Sequence, residues 1–280
     1  MIDFIIAMRV RFLFLAVALG FFGTCCSSPT AIQSPPRPLV ELSEPLKSPW
    51  LCTVGISAPE GPGMDYKGTG VVVHSSKHGT IVMTNHHVVM VKPAWSRLPL
   101  PATVYKVFIP NEPVLEAAYL TSVVSYQIKE HYIDVALLWI PYDGKIYQAF
   151  SGIRKTAPVI DEPVRVYTFY PQNRVLENPG AIEKTSDGDT VVVTESAVVP
   201  GNSGSGVYDL EGVLVGVIFA KNSTDENAPT IETGPFAGKH HDYGYFVQST
   251  DLRSFFEASE LAWVPTPDPS DDPPIPEQPK

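Results

Sequence analysis

Cysteine is scarce in this 280-residue chain: only Cys25, Cys26 and Cys52 occur. Three thiols cannot form a disulfide framework, and no pair stands at metal-ligand spacing from histidines, so neither a disulfide scaffold nor a metal module is expected. Only Cys52 falls in the globular part, where it reads as a small buried hydrophobe. Basic residues are also in short supply. Twenty Lys and Arg face thirty Asp and Glu, a net charge of −10, which argues against nucleic acid as a partner because phosphate binding needs a basic face. The amino-terminal apolar run, residues 12–26, holds 15 residues, short of the ~20 that span a bilayer. No internal repeat is visible.

Apolar residues, by contrast, make up 44% of the chain against 18% charged, enough for a sizeable core in one large or two small domains. Proline is abundant at 28 residues, and many of these lie near the two ends, so the globular part is shorter than the chain.

Arg9 and Arg11 precede the apolar stretch that starts at Phe12. A positive flank followed by a short apolar core is the pattern of an export signal, expected over residues 1–25, with Met8 as a more ordinary start than Met1. Gly23-Thr24-Cys25-Cys26 then resembles the end of a bacterial lipoprotein signal, which makes Cys25 a candidate lipidation site, with simple cleavage or an uncleaved anchor as the alternatives. Each reading places the remainder outside the cytoplasm, in the periplasm or beyond, and touches a membrane only through this anchor. Residues 26–47, rich in Pro and Ser, form a linker, and residues 265–280, rich in Pro and Asp, a disordered tail.

Between them lie many short segments of β-branched and apolar residues separated by Gly and Pro turns: 51–56, 68–74, 80–85, 104–109, 114–125 and 133–140. After a connection over 141–158, a second set follows at 164–169, 190–194, 206–208, 213–219 and 243–247. Residues 75–79 read as a hairpin turn and His86-His87-Val88-Val89 as a single helical turn. Ser249-Thr250-Asp251 caps a helix running to about residue 261. Strands in two sets with one late helix predict an all-β chain of two β-barrels, about 48–145 and 158–248, within a domain over 48–264.

Three stretches carry chemistry. Gly201-Asn202-Ser203-Gly204 sets a serine between glycines; alone it reads as a turn, or as an exposed nucleophile with nearby N–H donors. Of the seven histidines, only His86 and His87 directly follow a strongly apolar strand. Asp134 opens Val135-Ala136-Leu137-Leu138, and a carboxylate in an apolar strand is costly unless paired. The stretches Gly68-Thr69-Gly70 with Thr84-Asn85-His86-His87-Val88, then Asp134-Val135-Ala136, then Gly201-Asn202-Ser203-Gly204 resemble the histidine, aspartate and serine motifs of trypsin-like serine proteases. In style they come nearest to the bacterial HtrA/Deg type, and no PDZ domain is expected. The order histidine, aspartate, serine is that of the trypsin-like fold.

The resemblance implies barrels of the six-stranded type and a serine endopeptidase acting on proteins or peptides, without cofactor or metal. His87 would be the base, Asp134 its orienting carboxylate and Ser203 the nucleophile, with His86 a variable neighbour. The N–H groups of Gly201 and Ser203 would form the oxyanion hole. Ala197, Phe219 and Ala220 would line the primary pocket and favour small or medium apolar side chains, with Lys221 either at the pocket wall or a solvated loop residue. Two positions depart from digestive relatives. Asn202 cannot pair with a new N-terminal amine, so no amine-activated zymogen switch is expected. Ser205 stands where the family has glycine, and its side chain could crowd the site. A catalytically silent peptide-binding domain and an acyl esterase using the same residues are the competing readings. His240-His241 reads as a loop pair, not a metal site. Oligomeric state is not legible.

Overall fold

The computed structural model describes residues 49–58, 68–91, 98–127, 131–170, 174–221, 229–232, 234, 236–238 and 243–258. The signal segment, Cys25, the linker, His240, His241 and the tail lie outside the described residues.

The first barrel closes from six antiparallel strands: β1 (Thr53–Ser57), β2 (Gly68–Ser76), β3 (Gly79–Thr84), β6 (Tyr105–Phe108), β7 (Leu115–Gln127) and β8 (His131–Ile140), in the order β1-β2-β3-β8-β7-β6. β1 completes the ring by pairing β2 on one side and β6 on the other. A two-stranded pair, β4 (Met90–Val91) and β5 (Leu100–Pro101), sits outside it. The second barrel contains β9 (Pro163–Tyr170), β10 (Arg174–Lys184), β11 (Thr190–Thr194), β12 (Gly206–Tyr208), β13 (Leu214–Lys221) and β14 (Tyr243–Gln248), ordered β10-β11-β14-β13-β12-β9. Closure leaves no long free edge, which would otherwise invite pairing with other chains. Two barrels and a carboxy-terminal helix are the architecture expected from the sequence.

Many strands are buried along their whole length; β1 and β3 have no exposed residue. A strand covered on both faces reads as a continuous apolar run, not as alternation, and that is the texture of Thr80-Ile81-Val82-Met83. The hairpin between β2 and β3 is tighter than expected. Both strands extend toward Lys77-His78, and Gly79 takes φ +120° with no room for a side chain against Trp139 and the Ile140 carbonyl.

Three elements differ from the sequence reading. Leu51 and Cys52 belong to a 3-10 turn, Pro49–Cys52, ahead of β1; the Cys52 thiol donates to the Pro49 carbonyl at 3.0 Å and lies 3.4 Å from the Tyr208 hydroxyl. β10 was not expected as a strand, because Pro179-Gly180 interrupts it. Its pairing with β9 from Arg174 to Ala181 holds it in place. The β4–β5 pair is too short to leave a pattern.

The barrels meet closely. A Cβ on Gly55 would lie 2.4 Å from the Phe169 ring, so glycine is required there for β1 to approach β9. One continuous cluster of buried residues joins the interior of barrel 1 to Tyr167, Tyr208, Leu214 and Val217 of barrel 2. The terminal helix α2 (Ser249–Ala258), following a four-residue turn α1 (His86–Val89), buries Leu252, Phe255 and Phe256 in the same cluster. Each such side chain contributes roughly 1.5–3 kcal/mol. Arg253 donates to the Ile153 carbonyl at 3.2 Å and Ser249 to the Thr156 carbonyl at 2.8 Å. These bonds tie the helix to the inter-barrel connection.

Candidate active site

The turn α1 begins where β3 ends. Val88 and Val89 are buried and anchor it. The Asn85 side chain does not cap it; its amide donates instead to the Asp134 carbonyl at 2.7 Å, which ties the turn to β8. Within this frame His87 reaches the Asp134 carboxylate twice. Its backbone N–H donates to Oδ1 at 3.1 Å, and its Nδ1 lies 2.6 Å from Oδ2. Asp134 is 1% exposed, and these two bonds answer the cost of burying it. A carboxylate only accepts, so the ring nitrogen facing it holds its proton, and in the neutral imidazole Nε2 then carries the lone pair. The imidazole itself is 47% exposed, open to a substrate.

His86 turns elsewhere. Its Nδ1 lies 2.7 Å from the Ser122 hydroxyl, which lies 2.7 Å from the Tyr119 hydroxyl. Two adjacent imidazoles are thus held by different strands, His87 by β8 and His86 by β7.

The serine loop enters from barrel 2. Gly201 and Gly204 take φ +100° and +88°, where a side chain is strained. Asn202 is buried: it accepts from the Val199 N–H at 3.2 Å and donates to the Thr168 hydroxyl at 3.1 Å. Its carbonyl accepts from the Ser205 N–H at 2.9 Å. Ser205 is fully buried, and its hydroxyl lies 2.7 Å from that of Thr168. The side chain therefore packs into barrel 2, so the crowding expected from Ser205 does not arise. The peptide between Asn202 and Ser203 is pinned by its carbonyl, which aims the Ser203 N–H the opposite way. Among the described residues, neither the Gly201 nor the Ser203 N–H donates to a backbone carbonyl.

Ser203 is half-buried. Its main chain and the histidine turn meet at Gly68, where a Cβ would lie 2.7 Å from the Ser203 carbonyl oxygen and 2.8 Å from Val88. Among the described residues, no hydrogen bond links the Ser203 hydroxyl to His87. Such bonds are often long until a substrate is bound.

The profile of the trypsin-like peptidase domain family matches residues 68–217. The chain belongs to that family. The matched span contains the histidine, aspartate and serine motifs together. Among solved structures, the chain is similar to the MamO protease domain from Magnetospirillum magneticum, at 16% identity over 75% of this chain and 97% of that one, with a TM-score of 0.50. It is also similar to the serine endoprotease from Yersinia pestis, at 19% identity over 75% of this chain and 63% of that one, again with a TM-score of 0.50. At these identities the likeness speaks for the fold alone. No curated protein matches the sequence.

The pocket candidates of this trypsin-like domain are less tightly defined. Ala197 is exposed in the loop that follows β11, and Phe219 and Ala220 are half-buried on β13. The register shifts between Ile218 and Ala220, and the Phe219 ring packs 6.3 Å from that of Tyr245. Tyr245 is half-buried beside Phe219, whereas Tyr243 and Phe246 are buried. Lys221 is exposed. Among the described residues no group of three or more His, Cys, Asp or Glu could hold a metal ion.

Sequence reasoning missed the residues that hold this loop. Asn178 on β10 pairs with the main chain of Ser196 in both directions, accepting from its N–H at 3.1 Å and donating to its carbonyl at 3.2 Å. The amide thereby extends the β10–β11 ladder into the loop leading to Ser203. Its only signal was a polar residue before Pro179. Burial raises the Cys52 thiol to about 12 and the Tyr208 hydroxyl well above its ordinary value, so neither is a nucleophile.

Proposed function

We propose that the chain is an exported serine endopeptidase that hydrolyses peptide bonds through His87, Asp134 and Ser203. The observation that carries this reading is the doubly bonded His87–Asp134 pair, at 2.6 and 3.1 Å. Nε2 of His87 takes the proton of Ser203 as its oxygen attacks the scissile carbonyl. Asp134 holds the tautomer and stabilises the imidazolium that forms. The N–H groups of Gly201 and Ser203 receive the developing oxyanion, each donor contributing roughly 3–4 kcal/mol. The amine leaves with the proton from His87, and water then releases the acyl group. Ala197, Phe219 and Ala220 line a pocket for small or medium apolar side chains. The export signal over 1–25, with Cys25 as lipidation site, sends the domain out of the cytoplasm; metabolic labelling with a fatty-acid analogue, lost in Cys25→Ala, checks the anchor.

A fluorophosphonate probe tests the central claim. Covalent labelling that maps to Ser203 and vanishes in Ser203→Ala is expected. A second reading, a silent peptide-binding domain, draws on the missing hydrogen bond between Ser203 and His87. Folded protein that never labels decides for it. Esterase action is separated by turnover of matched ester and peptide substrates.

A further inference from the structure

Thr69 lies on β2 in barrel 1, yet most of its polar groups are spent on barrel 2. Its N–H donates to the Ser203 carbonyl at 2.7 Å. Its hydroxyl donates to the Gly201 carbonyl at 3.0 Å and accepts from the Phe169 N–H at 3.2 Å. Its own carbonyl accepts from the Thr84 hydroxyl at 2.7 Å. The residue is fully buried. Gly204 rests against it so closely that a Cβ there would lie 1.8 Å from the Thr69 carbonyl oxygen.

The carbonyls of Gly201 and Ser203 flank the serine, and both end on this one residue. In a planar trans peptide, fixing the carbonyl fixes the N–H of the following residue. The Thr69 hydroxyl orients the peptide between Gly201 and Asn202, and the Thr69 N–H orients the peptide between Ser203 and Gly204. The Ser203 peptide between them is already held by the Asn202–Ser205 bond. Three successive peptide units are thereby locked, two of them from the opposite barrel. The hydroxyl is the part a side chain supplies, and it bridges two backbone groups of barrel 2 that no other described side chain joins.

We infer that Thr69 is a positioning residue: its hydroxyl, bonded between the Gly201 carbonyl and the Phe169 N–H, holds the serine loop of one barrel in reactive register with the histidine turn of the other. The inference rests on the protease reading for its catalytic consequence, but not for its structural one.

The test compares Thr69→Val, which keeps the shape and loses the hydroxyl, with Thr69→Ser, which keeps the hydroxyl. Amide hydrogen exchange over residues 199–206 and the rate of Ser203 phosphonylation by a fluorophosphonate, per titrated active site, are measured on folded full-length protein. Thr69→Val is expected to exchange faster in this segment and to be phosphonylated roughly 10- to 100-fold more slowly, the range for a lost positioning contact, with KM for a short peptide little changed. Thr69→Ser is expected to track the wild type in both. If Thr69→Val does not fold, Thr69→Cys takes its place, its thiol being a weak hydrogen-bonding group, with the same expectations in reduced degree. Unaltered exchange over 199–206, or Thr69→Ser impaired as much as the valine or cysteine variant, overturns the inference. Wild-type protein that fails to label while the exchange difference persists overturns the protease reading instead and leaves Thr69 as the holder of the loop.

Discussion

Asp134 takes two hydrogen bonds from one residue, the ring and the backbone N–H of His87, at 2.6 and 3.1 Å. The ring bond sets the tautomer, and the backbone bond sets the position of the turn that bears the ring. Asp134→Asn disturbs the first and weakens the second. An amide can present its NH2 group to Nδ1, which moves the proton to Nε2 and removes the base. A fall of roughly 10⁴ in kcat is expected, measured on a peptide substrate with circular dichroism as the folding check. Activity near the wild-type level in Asp134→Asn would remove the carboxylate from the mechanism.

The two neighbouring histidines should respond differently. His87→Ala is expected to lower kcat by about 10⁴–10⁶. His86→Ala loses its bond to Ser122, at a cost of about 1 kcal/mol of stability, with a mild effect on turnover. Parallel kinetics and urea melts of both variants check this. A reversed ranking would mean that the wrong imidazole has been assigned as base.

Ser205 faces the barrel interior, not the substrate. Ser205→Ala removes the contact with Thr168, and a loss of about 1 kcal/mol is expected with kcat/KM unchanged. A marked change in substrate preference would show that this side chain reaches the site after all.

Gly204 has no room for a methyl group, which would sit 1.8 Å from the Thr69 carbonyl oxygen and 2.6 Å from the Thr84 hydroxyl. Its φ of +88° adds strain for any other residue. Gly204→Ala is expected to cost ~3–5 kcal/mol and to abolish labelling of Ser203. Thermal melting beside probe labelling reads both, and a stable, labelled variant would contradict the packing described.

Alkaline pH should weaken the fold. Burial, the dominant cause, raises Cys52 from 9.0 to about 12 and Tyr208 well above 10.0. Above pH 9 the unfolded chain gives up the thiol proton while the folded chain keeps it. The folded state then binds more protons, so stability falls as pH rises toward 12, by up to about 1.4 kcal/mol per pH unit for each such group. Urea midpoints at pH 8 and about 10 test this, and the slope should flatten in Cys52→Ala. An unchanged midpoint over that interval would rule the coupling out.

Much of this was legible before any coordinates, because it is local. Valine-rich runs between Gly and Pro turns mark most strands, since β-branched side chains suit a pleated backbone and glycine suits the turns. Asp134 stands out as the one polar residue of the otherwise apolar run 133–140, His86-His87 because they directly follow an apolar strand, and Ser203 because glycines flank it closely. Strand β10 escaped notice because Pro179-Gly180 lies inside it, and only its ladder with β9 outweighs the local preference.

The sequence by itself determined most of the strands, the family motifs and the candidate residues His87, Asp134 and Ser203, all of them properties of short segments. Tertiary structure alone decided which way Ser205 points, which partner His86 takes, and that Thr69 and Asn178 grip the serine loop. Those contacts join residues from 18 to more than 130 positions apart, such as Asn178 with Ser196 and Thr69 with Gly201. A hydrogen bond across that separation leaves no periodic trace along the chain, because closing the two barrels is what brings its ends together.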